Sequence, residues 1–213
     1  WTYGYPLPNR SEDEAYATYT HFLGPGLPIE HLYTDSAGEL IKCAKSLGVP
    51  HSASTPGRHE DNAIAESKVK MVMAGTRTLL CQGGLPNCYW PYAMRAFCFG
   101  RIIKDRENGS IWERRHKDGP FTGLVLPFGC RVHFMQTPEK FKDQAKASPR
   151  LVPGVFLYHH VRSGGKWKGE YCVLPLTHFA GLGLAYDAKH RYTKPQRVRE
   201  VKILDEEWVF PLK

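Results

Sequence analysis

Two carboxylates in the first third of the sequence are placed where they could bind divalent metal ions. Asp35 follows the short run 31–34, which is typical of a β-strand, and Glu66 lies one turn into an amphipathic helix predicted over about 62–81. Strand ends and helix starts are where α/β proteins build sites. Carboxylate oxygens suit a pair of hard cations that clamp the attacking and leaving oxygens of a phosphoryl transfer.

The helical repeat places Glu66 at the edge of the predicted apolar face. With Val69 at the centre of that face, 100° per residue puts Glu66 about 60° away, from where it can point towards Asp35. Lys70 shares this flank and is a candidate for holding a phosphate, and Arg77 lies near it. The spacing leaves an ordinary alternative open: an Asp after a strand is commonly a turn residue, and Glu66 with Lys70 is an i, i+4 ion pair.

The elements around these carboxylates predict an α/β layer, because short strands alternate with helices. Ser11 and Glu14 form a capping box, Gly48 closes a helix, and Trp90-Pro91 opens another. In chain order we expect the end of a strand at 1–5, helices at 11–23 and 38–47 with a strand at 31–34 between them, the helix at 62–81 and a helix from Trp90 towards Gly109.

From Gly119 onward the sequence predicts a small basic β domain. Apolar runs alternate with glycine-rich turns, and the break Ser163-Gly164-Gly165 separates two of them as a hairpin would. Short strands with many positive charges suggest a small barrel. The predicted strands are 124–134, 154–160 and 170–174, with a further one over 201–204.

The charge is unevenly distributed. Residues 1–60 hold four basic and seven acidic residues, whereas the remainder holds twenty-five basic and fourteen acidic ones, and the formal net charge is +8. Such a balance suits a protein that binds a polyanion, because each Lys or Arg near a phosphate releases counterions. Charge alone does not establish nucleic-acid binding.

The cysteine pattern and the lengths of the apolar runs indicate the cellular compartment. Six cysteines are scattered without a C-x-x-C pair, which favours reduced core thiols over disulfides or zinc. No apolar run approaches the ~20 residues that cross a bilayer. We therefore expect an intracellular, soluble protein with no membrane partner.

Several short runs occur in a fixed order along the chain. Tyr33-Thr34-Asp35, then 51–58, then Asn62-Ala63-Ile64-Ala65-Glu66 look like the series T-D-N-G and H-x-x-S-x-P-x-x-x-x-N-G-V-A-E. This series resembles the integrases of copia-type retrotransposons. Runs at 76–80, 85–86 and 89–93 then resemble the family's R-T-L, G-L-P and F-W-x-x-A motifs, in the same order. The runs 127–129, 149–150 and 153–157 resemble the Src-homology-3-like domain that follows the integrase core in this family. The resemblance covers about residues 1–180.

The resemblance implies an α/β fold class with two domains, a ribonuclease-H-like integrase core at 1–118, truncated at its N-terminus, and a small mainly-β Src-homology-3-like barrel at 119–184. The charge pattern adds a basic C-terminal tail at 185–213. In this family two aspartates and a glutamate bind two Mg²⁺ or Mn²⁺ ions. The second aspartate and the glutamate correspond to Asp35 and Glu66.

The function that the resemblance implies is DNA integration by a polynucleotidyl transferase, through 3′-end processing and strand transfer. Its partners would be the element's DNA ends, target DNA and further copies of the chain, in the nucleus or in a cytoplasmic virus-like particle. The loop 54–61 would lie beside the scissile phosphate. Arg58 and His59 would contact DNA there, together with Lys70 and Arg77.

The sequence also departs from the family pattern. The first catalytic aspartate belongs upstream of residues 1–5, and this chain does not contain it. Ser36 and Ala37 replace Asn-Gly, Ala63 replaces a loop glycine, and Ser67 replaces an arginine. We therefore expect the chain to be inactive alone, and the alternative is a non-catalytic nucleic-acid-binding or assembly module derived from a decayed integrase.

Overall fold

The computed structural model describes residues 1–25, 28–55, 62–104, 107, 109–136 and 149–213. They divide into two compact units of a mixed α/β protein. The first, here called the cleft unit, comprises Tyr5–Met71 and Val161–Lys166. The second, here called the sheet unit, comprises Trp1–Gly4, Val72–His160 and Trp167–Lys213.

The cleft unit contains two helices and two short strands. The bounds are α1 Glu12–Leu23, β1 Leu32–Thr34, α2 Gly38–Leu47 and β2 His51–Ala53. The predicted helix ends are confirmed: the Ser11 hydroxyl accepts from the Glu14 N–H at 3.3 Å, and Gly48 ends α2 in the left-handed conformation with φ 65°. Helices α1 and α2 pack against each other, and β1 pairs with β2 in parallel.

Helix α3, Ala63–Gly83, belongs to the cleft unit up to Met71 and to the sheet unit from Val72. Its buried positions are Val72, Thr76, Leu80 and Gly83. Val69, the predicted centre of the apolar face, is 61% exposed, so that expectation is wrong. The neighbours of a helix determine which of its sides is buried. The side of α3 that carries Leu80 packs into a hydrophobic core.

The sheet unit contains two further helices and five strands. Their bounds are α4 Trp90–Ile103, α5 Ile111–His116, β3 Arg131–Met135, β4 Leu151–Arg162, β5 Lys166–Pro175, β6 Gln196–Val198 and β7 Val201–Lys202. The strand order is β6-β5-β4-β3-β7. The predicted hairpin turn at Ser163–Gly165 is confirmed between β4 and β5.

Both faces of this sheet are buried. On β4, Val155 and Leu157 contribute to a core shared with α3 and α4, while Phe156 points into a second core. The second core also contains Phe134 and Val173 from the neighbouring strands. The alternation follows from the two-residue period of a strand, whose successive side chains point to opposite faces.

The expected barrel is not closed within the described residues. β6 pairs with β5, and β7 pairs with β3, so these two strands form opposite edges of the sheet. Yet two residues link them, so Val198 and Val201 lie at most about 10 Å apart. The sheet therefore curls back on itself as a barrel does, but strands of three and two residues are too short to add the closing ladder.

Three local expectations need correction. Residues 1–5 form no strand; instead the Trp1 ring lies 4.3 Å from the Arg115 guanidinium. The helix from Trp90 ends at Ile103 and not near Gly109. The strand expected from residue 124 begins at Arg131, because the peptide N–H of Leu124 donates to the Tyr171 hydroxyl and not to a ladder. Helix α5 and strand β6 were not predicted.

All six cysteines are free, and four of them are buried: Cys43, Cys98, Cys130 and Cys172. Cys81, near the end of α3, is exposed. In the described ranges, no helix is both long enough and apolar enough to cross a membrane.

Candidate functional site

An open cleft in the cleft unit brings the two predicted carboxylates together. Its volume is about 480 Å³. Asp35, directly after β1, and Glu66, in the first turn of α3, both line it, and so does Lys70 one turn further along the helix. The other lining residues are Tyr19, Tyr33, Thr34, Leu40, Asn62, Ala65 and Val69.

Asp35 is held at the turn between β1 and α2. One of its carboxylate oxygens, Oδ1, accepts a hydrogen bond from the Ala37 N–H at 3.3 Å. This contact is that of an Asp in a turn, as the ordinary alternative expected. The residue is exposed, and in the described part of the chain its second oxygen, Oδ2, has no hydrogen-bond partner. The turn contact and ligand binding are therefore compatible.

Glu66 is half-buried at the N-terminal end of α3, where the positive end of the helix dipole stabilises a negative charge. Within the described residues it forms no ion pair with Lys70, although the two are four positions apart. The i, i+4 pair that offered an ordinary explanation is thus not formed. Lys70 is exposed and lies at the cleft as an unpaired cation in that same part of the chain.

The side chains of Thr34 and His51 form a hydrogen-bonded pair next to Asp35. The Thr34 hydroxyl donates to the Asp35 carbonyl at 2.7 Å, and it contacts His51 Nε2 at 2.8 Å. The parallel pairing of β1 and β2 brings this about, and the Ser54 N–H extends it by donating to the Thr34 carbonyl at 2.9 Å.

The negative charge of the cleft acts on a nearby phenol. Burial raises the pKa of Tyr19, and the Cys43 thiol and the Asp35 carboxylate raise it further. The negative charge of Asp35 therefore disfavours ionisation of the Tyr19 hydroxyl, on α1. Helices α1 and α2, which carry Tyr19 and Cys43, thus both contribute to the environment of the cleft.

The predicted DNA contacts do not all meet at this cleft. Arg58 and His59 lie outside the described residues. Arg77 is exposed on α3, but it is not among the residues that line the cleft. It lies seven residues beyond Lys70, about 10 Å along the helix axis.

Sequence reasoning missed the cleft's other polar groups. Asn62 precedes α3 and lines the cleft, and the Tyr33 ring is 48% exposed beside Asp35. Along β1 the Tyr33 side chain is exposed and its two neighbours are buried. The two-residue period of a strand could therefore have indicated that Tyr33 lies at the surface. Nothing in the spacing could have indicated the contact between Thr34 and His51, because it depends on the pairing of two strands.

Comparisons with known proteins give the family context. No model of a known protein family matches the chain. It is 30% identical over 99 residues to the "Retrovirus-related Pol polyprotein from transposon RE1" of Arabidopsis thaliana, covering 44% of this chain and 7% of the relative. The corresponding protein of transposon RE2 from the same plant is 29% identical over 146 residues, covering 62% and 10%.

A third relative comes from another plant. The "Retrovirus-related Pol polyprotein from transposon TNT 1-94" of Nicotiana tabacum is 25% identical over 141 residues, again covering 62% of this chain and 10% of the relative. The chain is similar to a region of retrotransposon Pol polyproteins. It spans a tenth or less of the length of the relatives it matches.

Proposed function

We propose that this chain is the part of a retrotransposon polyprotein that acts in DNA integration, as a polynucleotidyl transferase with a ribonuclease-H-like core and a Src-homology-3-like sheet. The observation that carries the proposal is the shared cleft of Asp35 and Glu66, two carboxylates separated by thirty residues of sequence. The ordered motif series and the similarity to Pol polyproteins support it.

The donors in the cleft fit Mg²⁺ or Mn²⁺. Among the described lining residues they are oxygens, from the carboxylates of Asp35 and Glu66 and the side-chain amide of Asn62, and none of these described residues is a His or a Cys. Hard divalent cations prefer such ligands. The described residues contain no group of three potential His, Cys, Asp or Glu ligands, so a two-ion site requires a further carboxylate.

Asp35 and Glu66 would hold the metal, which supplies charge neutralisation and activation of a nucleophile at a phosphodiester. Lys70 adds a positive charge at the same cleft and would bind a phosphate oxygen of the DNA backbone. The exposed Tyr33 ring offers an apolar face beside Asp35. These residues bind and orient DNA, which is the protein's main contribution to phosphoryl transfer.

Metal binding can be tested on the 213-residue chain. Tyr19 and Tyr33 line the cleft, so a bound Tb³⁺ ion should show tyrosine-sensitised luminescence that Mg²⁺ and Mn²⁺ reduce by competition. Asp35→Asn and Glu66→Gln should each weaken Tb³⁺ binding at least about tenfold. The matched controls are Asp13→Asn and Glu39→Gln, acids on α1 and α2 that do not line the cleft. Equal luminescence in all five proteins would refute the metal site.

The activity requires the third carboxylate. In a longer protein that contains this chain and that residue, Asp35→Asn should abolish Mg²⁺-dependent joining of a labelled DNA 3′ end to a target duplex. Asp13→Asn should leave joining unchanged. Unaltered DNA joining by the Asp35→Asn variant would refute the proposed function.

A second candidate is a non-catalytic nucleic-acid-binding or assembly module. The contact between Asp35 Oδ1 and the Ala37 N–H favours it, because a turn role accounts for this carboxylate without any metal. It predicts DNA binding that EDTA does not change, together with no Tb³⁺ luminescence. Both candidates predict affinity that falls steeply between low and moderate salt, since both use the basic surface.

A further inference from the structure

The pairing of β1 with β2 brings a threonine and a histidine together behind Asp35. Leu32 lies opposite His51, and opposite residues of neighbouring strands point to the same face. Thr34 lies two positions beyond Leu32 and shares that face, where it is 6% exposed. The His51 ring therefore reaches the Thr34 hydroxyl, and Nε2 lies 2.8 Å from it.

The direction of these hydrogen bonds follows from the number of protons. The Thr34 hydroxyl has one proton, and it is donated to the Asp35 carbonyl at 2.7 Å, since a carbonyl can only accept. The contact with His51 must then be donated by the Nε2–H of the imidazole. The result is a directed chain from His51 through Thr34 to the main chain of Asp35.

Asp35 is held at two points. Its carbonyl accepts from Thr34, and its Oδ1 accepts from the Ala37 N–H. Fixing the peptide on one side and one carboxylate oxygen on the other restricts rotation of the side chain. Among the described residues, Oδ2 is the carboxylate oxygen that this arrangement leaves without a hydrogen-bond partner.

We propose that Thr34 and His51 are positioning residues, which orient Asp35 so that its carboxylate can bind a divalent cation. The inference rests on the proposed function for the role of Asp35, but the orientation itself can be measured without a metal. It is distinct from a purely structural role, in which the buried Thr34 hydroxyl would stabilise the end of β1 without affecting the carboxylate.

Matched substitutions separate these roles. Thr34→Val keeps the shape and removes the hydroxyl, whereas Thr34→Ser keeps the hydroxyl. His51→Leu removes the donor, whereas His51→Gln retains an N–H donor near the position of Nε2. We expect the conservative variants to behave as wild type in each pair.

The first readout is the amide resonance of Ala37 by NMR, calibrated with Asp35→Ala, which removes the acceptor Oδ1. Thr34→Val and His51→Leu should move this resonance towards its position in Asp35→Ala, and Thr34→Ser and His51→Gln should not. Wild-type Ala37 resonances in both Thr34→Val and His51→Leu would overturn the inference. If Thr34→Val does not fold, His51→Leu decides, because His51 is half-exposed.

The second readout is Tb³⁺ affinity. Loss of a group that orients a ligand typically weakens metal binding 10–100-fold, so Thr34→Val and His51→Leu should bind Tb³⁺ about tenfold more weakly. A lower Tm with unchanged Tb³⁺ affinity would indicate a purely structural role and overturn the inference. If wild type binds no Tb³⁺, the proposed metal site fails, and the Ala37 resonance still decides whether Thr34 and His51 orient Asp35.

Discussion

The phenol of Tyr92 donates a hydrogen bond to the main-chain carbonyl of Thr193 at 2.9 Å, across 101 positions of sequence. The ring of Tyr192 stacks on Tyr92, with centroids 6.1 Å apart. A second tie comes from the Asn87 N–H, which donates to the Tyr186 carbonyl at 2.8 Å. The basic segment between β5 and β6 is thus attached to the start of α4, although it contains little regular structure of its own.

Removing the Tyr92 hydroxyl should loosen this attachment. We expect Tyr92→Phe to lower the free energy of unfolding by about 1 kcal/mol, the usual value of one hydrogen bond, and to speed tryptic cleavage after Lys189 and Arg191. Urea denaturation and limited proteolysis measure the two effects. Tyr16→Phe is the control, because Tyr16 is an exposed ring on α1. Equal cleavage rates in the two variants would contradict the assignment.

Two glycines with the same backbone conformation should differ in their tolerance of alanine. Gly119 and Gly129 both have φ +83°, but a Cβ at Gly119 meets open space, whereas one at Gly129 lies 2.5 Å from the Cα of Gly83. Gly119→Ala should cost about 1–2 kcal/mol from the left-handed conformation. Gly129→Ala should cost about 1–3 kcal/mol more, because two backbones must separate. Chemical denaturation gives both values, and similar losses would show that the close approach is not strained.

His159 should make stability depend on pH. Burial lowers its pKa to about 4, and its Nε2 lies 2.8 Å from the Leu124 carbonyl. The unfolded chain takes up the proton near pH 6.5 and the folded chain only near pH 4, so stability is fully present above pH 6.5 and falls as the pH decreases through this window. The loss is on the order of 3 kcal/mol.

Urea titrations between pH 7.5 and pH 4 check this dependence. His159→Phe should flatten the fall between pH 6.5 and pH 4, because the phenyl ring cannot take up a proton in the unfolded chain. His31→Gln should retain the fall, because His31 is exposed. An unchanged slope in His159→Phe would show that other groups are responsible.

Lys70 should contribute to DNA binding through its place in the cleft. Lys68 provides a matched control, because it is exposed on the same helix but does not line the cleft. We expect Lys70→Ala to weaken binding to duplex DNA and to reduce the slope of log affinity against log salt by about 1, the value for one phosphate contact. Fluorescence anisotropy at several salt concentrations measures the slope. Equal effects of Lys68→Ala and Lys70→Ala would indicate a general charge effect.

The parts of the fold that were predictable depend on local chemistry. Ser11 and Gly48 mark helix ends because caps satisfy neighbouring backbone groups. Helix α5 has the same signal, a capping box in which Ser110 and Glu113 bond reciprocally, but its six residues are too few to show a helical repeat. The exposure of Val69 on α3 was not predictable from the helical repeat, because neighbours distant in sequence decide which side of a helix is buried.

The candidate site was predictable only in part, for the same reason. Asp35 and Glu66 could be identified from a strand end, a helix start and a motif series, and they line one cleft. The hydrogen bond between Thr34 and His51 depends on the register of two three-residue strands, which no pattern within either strand reveals. The curl of the sheet depends on which neighbours β6 and β7 pair with.

The distribution of thiols has a practical consequence for experiments on this chain. Burial raises the pKa of Cys98 and of Cys172 to about 11 and that of Cys130 to about 12, so near neutral pH these side chains present almost no thiolate to an electrophile. Cys81 is exposed at the surface of α3. A maleimide dye would therefore attach there first, giving a fluorescent reporter without any engineered cysteine.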